Sequence, residues 1–321
     1  MKLRTAWTTA CFICIGSLLF LPVQSSAGDN SDRTSLVQRS GQSAADSPQT
    51  AAAKPVPDLR SESTLTATVD KWRAALAHEA GFEGWQSASW NSYPLGPGTH
   101  GWVVILTDHG EDVGYMIVHA TENGTFRLTE YGTGKHPLFS LTTLYRSLVQ
   151  HELIPTTISY SDFAANETIA KERLYTDALT SVWKIKLQDQ TYYLDAKSGE
   201  VLPLKEDPTP KLTDTEDTLP ETDLAGEAIT TLHPAFDPYD RMPWIVGAPL
   251  PVNSLPELQN ALDTNENLTY VTELYDGQVT LPLAILGYQS WQEGSPYLIL
   301  DHEGPRYVRL SAALGMGHVY E

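Results

Sequence analysis

The stretch Arg173-Leu-Tyr-Thr-Asp-Ala-Leu-Thr-Ser-Val-Trp-Lys-Ile-Lys-Leu-Gln-Asp-Gln-Thr-Tyr-Tyr-Leu-Asp-Ala-Lys-Ser-Gly-Glu-Val-Leu-Pro-Leu204 decides the fold class of this chain. Trp183, Ile185 and Leu187 alternate with Lys184 and Lys186. The apolar side chains therefore share one face and the lysines the other, as a half-buried strand requires. Tyr192–Leu194 and Glu200–Leu204 continue the extended pattern, and Lys197–Gly199 supplies the tight turn before the last segment. Three short strands are expected here.

Upstream, Val69, Trp72, Leu76 and Ala80 recur at helical spacing from near Thr64, and Gly81 marks the stop. Phe82–Gly101 reads as a loop rich in Trp, Gly and Pro. Trp102–Thr107, Gly114–Ala120 and Phe126–Tyr131 read as an antiparallel meander whose last turn carries Asn123-Gly124, a strong hairpin signal. His136-Pro137 opens a second helix with Leu138, Leu141, Tyr145 and Leu148 on one face, suited to covering that sheet. Ser159–Glu172 fits either helix or strand.

Downstream, Lys205–Gly226 holds seven acids against two lysines and lacks apolar periodicity, which makes it the natural boundary. Beyond it, Ser254 and Glu257 match a helix capping box ahead of Leu258 and Leu262. Tyr270–Tyr275 and Gln278–Tyr288 flank the turn dipeptide Asp276-Gly277, with Pro282 pointing to an edge or bulge. Tyr297–Leu300 and Arg306–Leu310 form another strand pair. The expected fold is α+β: two small domains, 64–204 and 227–321, each an antiparallel sheet with one or two covering helices, the second richer in strand.

The N-terminus reads as an export signal. Lys2 and Arg4 precede an apolar run from Ala10 to Val23, and Ser25-Ser26-Ala27 offers a cleavage site after Ala27. The run is short of the roughly 20 apolar residues a membrane span needs, so no stable span is expected once 1–27 is removed. Residues 28–63, rich in Ser, Ala, Gln and Asp, have the composition of a disordered tether. Both cysteines, Cys11 and Cys14, fall within the signal. A cysteine-free exported chain has no disulfide, no thiol nucleophile and no thiolate metal site.

The net charge of -19 disfavours nucleic acid and anionic lipid as partners. No Gly-x-Ser-x-Gly elbow, His-Glu-x-x-His helix or phosphate-binding glycine loop occurs, so no catalytic, cofactor or metal residue is assigned. Asp108, His109, Glu111 and Asp112, or Asp301, His302 and Glu303, offer metal-ligand chemistry, but neighbours on a strand point to opposite faces, so both read as solvated turns. The remaining candidates for a binding surface are the aromatics Trp85, Trp90, Tyr93 and Trp102, clustered in and after a loop.

Val182-Trp183-Lys184-Ile185, Tyr193-Leu-Asp195-Ala196 and Ser198-Gly199-Glu200-Val201-Leu202 together resemble the ending of a PepSY domain, with Ser198 where that pattern has Thr. The resemblance spans about 173–204 and implies an exported α+β module of a kind found in protease propeptides and envelope proteins. It implies restraint of peptidases or assistance in folding, and no catalytic residue. The leading expectation is a secreted or extracytoplasmic non-enzymatic protein that binds another protein, such as a peptidase, or a cell-wall component. Two alternatives stand beside it: an extracellular polymer hydrolase using a carboxylate pair, and a structural envelope spacer.

Overall fold

The computed structural model describes residues 59–96, 98–209 and 224–321, with side chains from Thr64 onward. The expected signal peptide, most of the tether and the greater part of the acidic boundary lie outside the described residues.

In chain order the elements are α1 (Leu59–Leu76), β1 (Ser89–Pro94), β2 (Gly101–Asp108), β3 (Glu111–Ala120), β4 (Phe126–Thr133), α2 (Leu141–Gln150) and α3 (Tyr160–Ala165). There follow β5 (Ala170–Asp177), β6 (Thr180–Leu187), β7 (Gln190–Asp195), β8 (Ala225–Leu232), α4 (Pro243–Val246) and α5 (Leu255–Thr264). The chain closes with β9 (Thr269–Leu274), β10 (Val279–Glu293), β11 (Tyr297–Asp301), β12 (Pro305–Arg309), α6 (Leu310–Met316) and β13 (Gly317–Tyr320). The fold is α+β, with a ten-stranded sheet in the order β1-β2-β3-β4-β12-β11-β10-β9-β13, β8 added on β10, and a separate three-stranded sheet β5-β6-β7.

The sheets do not divide at 205–226. β4, from before that boundary, pairs with β12, from after it, placing Tyr307 opposite Tyr131 and Arg306 opposite Gly132. Two small sheets would each leave an edge of unpaired backbone groups there, and joining them satisfies both. The described residues form one compact unit.

Alternation along the strands assigns the layers. Val104, Leu106, Met116 and Val118 face α1 through Leu65, Val69, Trp72 and Leu76. Val103, Tyr115 and Ile117 face the other way, onto Leu144 and Leu148 of α2, Phe163 of α3 and Trp183, Ile185 and Leu194 of the small sheet. The reverse face of the small sheet, through Leu174, Val182 and Tyr193, packs on Leu274 and Tyr275 at the β9–β10 turn. The small sheet is thus clamped between the large sheet and that turn.

Local departures from expectation have local causes. β1 lies inside the expected loop 82–101, because Ser89-Trp-Asn-Ser-Tyr-Pro94 pairs only through β2 and leaves most of its side chains to solvent. The third strand of the small sheet is β5, not Glu200–Leu204, which contributes a single bridge between Leu194 and Val201. At α5 the carboxylate of Glu257 receives the backbone N–H of Asn253 at 2.8 Å and the hydroxyl of Ser254 at 3.0 Å. Ser254 itself caps no backbone N–H, so the box is half formed.

Candidate functional site

The four aromatic candidates do not make one surface. Trp85 is only 1% exposed, wedged edge-on against Phe82 at 4.9 Å with its indole N–H on the Val113 carbonyl at 3.1 Å. It is core, and its expected place on a binding surface is corrected. Trp90 and Trp102 are half-buried on the face that α1 covers; Trp90 donates to Asp70 at 3.0 Å, and Trp102 packs edge-on against Phe126 at 5.8 Å. Tyr93, three residues on from Trp90, points to the opposite face of β1, where the guanidinium of Arg173 lies 4.5 Å from its ring.

The polar chemistry gathers where β4, β12 and the small sheet meet. Arg306 is fully buried and donates from Nε and Nη2 to the two oxygens of Glu130, at 3.1 and 3.0 Å. Tyr115 and Tyr175 donate to the same carboxylate at 2.8 and 3.0 Å. Ser181 accepts from Arg306 Nη2 at 3.3 Å, and His302 Nδ1 lies 3.1 Å from Nη1. Since a guanidinium only donates, Nδ1 is the acceptor, and a neutral His302 carries its proton on Nε2, facing Asp195 at 3.8 Å. Burial, together with Arg306 and Lys197, holds the His302 pKa down at about 4 against the pull of Asp195. Gly132 makes room for this knot, since a Cβ there would lie 2.5 Å from the Tyr115 ring.

The Asp-Ala-Lys-Ser-Gly turn is built onto the knot. Asp195 accepts from the backbone N–H groups of Lys197 and Ser198, at 2.9 and 2.7 Å, a side chain mimicking a backbone turn. Gly199 takes φ +80 while its carbonyl accepts from Ser147 of α2, and a Cβ there would meet that serine at 3.0 Å. Lys197, 1% exposed, donates from Nζ to the carbonyls of His136 and Glu303 at 2.6 and 3.0 Å. Burial, aided by Arg306, lowers its pKa to about 8. Sequence reasoning read Asp301-His302-Glu303 as a solvated turn; His302 is instead buried, because Arg306 four residues on needs an acceptor inside. His109, by contrast, is exposed at its turn. Among the described residues no group of three or more metal-ligating side chains converges.

The knot is enclosed, so its chemistry is structural. Accessible chemistry lies nearby, in a cleft of about 230 Å³ between the end of the small sheet and the β9–β10 turn. Leu204, Leu274, Tyr275 and Met316 supply apolar walls; Asp177, Glu206, Asp207, Glu273 and Asp276 supply carboxylates. Asp207 accepts from Lys184 at 2.8 Å and Tyr193 at 2.7 Å. Its burial pushes its pKa up, but these two bonds prevail and hold it below the ordinary value. The carboxylates of Glu206, Glu273 and Asp276 belong to exposed residues and make no hydrogen bond or ion pair with a described residue. The sequence signal for this cleft was present in pieces, as the Asp276-Gly277 turn and the acids opening 205–226, but nothing in the sequence set them side by side.

No family model matches the chain, and comparison with curated proteins and with solved structures finds no match.

Proposed function

We propose that this protein is an exported, non-enzymatic binding protein, and that its acidic cleft takes a cationic, partly apolar segment of another protein. The observation that carries this reading is the cleft's composition: five carboxylates around Leu204, Leu274, Tyr275 and Met316. Such a lining attracts a Lys- or Arg-bearing peptide from a distance and holds its apolar side chain on contact. The net charge of -19 adds a long-range field of the same sign. The PepSY-like segment supplies two strands of the sheet that walls the cleft, and the resemblance favours a peptidase, or a cell-wall component, as the partner.

Calorimetric titration tests the reading with two peptides of equal length, one alternating Lys and Leu, the other Glu and Leu. The cationic peptide is expected to bind saturably, at least tenfold tighter than its acidic counterpart, and to weaken as salt rises. Equal affinity for both would end the proposal.

A further inference from the structure

Arg173 carries a cation for which the described residues supply no counter-charge. It lies on β5, opposite Trp183 of β6. Its guanidinium carbon sits 4.5 Å from the ring centroid of Tyr93 and 4.8 Å from that of Trp183. Aromatic faces attract the charge but offer no acceptor to its N–H groups. Among the described residues the side chain makes no hydrogen bond or ion pair. Its Nε is buried without a partner, while the residue as a whole is only half-buried. The indole N–H of Trp183 is a second buried donor without an acceptor.

A chain with 40 acidic and 21 basic residues has carboxylates to spare, yet among the described residues none pairs with Arg173. Burying donors without acceptors is costly. Burial also draws the Arg173 pKa down to about 10, with only the Tyr93 hydroxyl opposing it.

We propose that Tyr93, Arg173 and Trp183 form a receptor for a small oxyanion, which the Nη N–H groups bind while the two rings wall the site. The planar fork of the guanidinium matches a carboxylate or phosphate through paired N–H···O bonds. A peptide carboxylate and free inorganic phosphate share that chemistry, and the test separates them. The site is independent of the acidic cleft, which takes the opposite charge.

The experiment is an NMR titration of the full chain, following the Arg173 Nε–H and Trp183 indole signals, assigned with Arg173→Lys and Trp183→Phe. The probes are acetate, phosphate, and one short peptide as free acid and as amide, each against chloride at matched ionic strength. Saturable shifts of both signals with an oxyanion are expected and none with chloride. Binding should weaken roughly tenfold or more in Arg173→Lys, which keeps the charge but loses the fork, and vanish in Arg173→Met. Tighter binding of the free-acid peptide than of phosphate assigns a peptide carboxylate, and the reverse assigns an inorganic anion. Shifts that follow ionic strength alone, or that survive undiminished in Arg173→Lys, overturn the proposal.

Discussion

Around Glu130 and Arg306 every charge meets its partner inside the protein, whereas along the neighbouring cleft Glu206, Glu273 and Asp276 meet none among the described residues. Both regions are built on the small sheet, one on each side of it. The difference separates two uses of charge. A saturated, dehydrated network fixes the packing of layers and has nothing left to offer a ligand. A solvated row of acids contributes little to folding and keeps its field for something outside.

The comparison breaks most visibly at Glu130. Glu130→Ala leaves Arg306 as an uncompensated buried cation and strips Tyr115 and Tyr175 of their acceptor. A loss of about 3–5 kcal/mol in urea unfolding is expected, whereas Glu273→Gln in the cleft should change stability by less than about 0.5 kcal/mol.

A smaller effect follows from pH. The His302 pKa, about 4 in the folded protein, lies below its ordinary 6.5 because burial opposes the charge. As pH falls through 6.5 the unfolded chain takes up this proton and the folded one does not. The contribution is therefore complete above 6.5 and declines by up to about 1.4 kcal/mol per pH unit until about 4. His302→Asn retains an acceptor for Arg306, and denaturation curves across this window should show that part of the slope removed.

A smaller effect on stability than at Glu130 or His302, and the one that sharpens the comparison, is at Lys184. Its ammonium lies 2.8 Å from Asp207 and is partly solvated. Lys184→Met should cost less than about 1 kcal/mol. By freeing Asp207 it should also tighten binding of a cationic peptide severalfold, measured by the same calorimetry.

What the sequence disclosed and what it concealed divide along the same line. Local periodicity revealed the small sheet's alternation at Trp183, Ile185 and Leu187, the β2–β4 meander, and the turn at Asp276-Gly277, because each depends on neighbours within a few residues. The β4–β12 pairing did not show, since Tyr131 and Tyr307 are far apart in the chain and backbone pairing leaves no local mark. The knot was hidden for the same reason: Glu130, Ser181 and Arg306 are each ordinary in isolation, and His302 looked like a turn residue. Trp85 was misplaced because a tryptophan in a loop-like stretch carries no signal of direction. Tyr93 became informative only beside Arg173, which comes from another strand.

The most direct test of the functional account is to map where a cationic peptide sits. A Lys-Leu peptide bearing a photoactivatable crosslinker would be reacted with the full chain and the adducts located by mass spectrometry. Adducts concentrated at Leu204–Thr209, Leu274–Gln278 and Met316, reduced in Glu273→Gln/Asp276→Asn, are the predicted result. Adducts gathered instead on the exposed apolar residues Ile245 and Val246, or spread over the surface and indifferent to that double substitution, would contradict it.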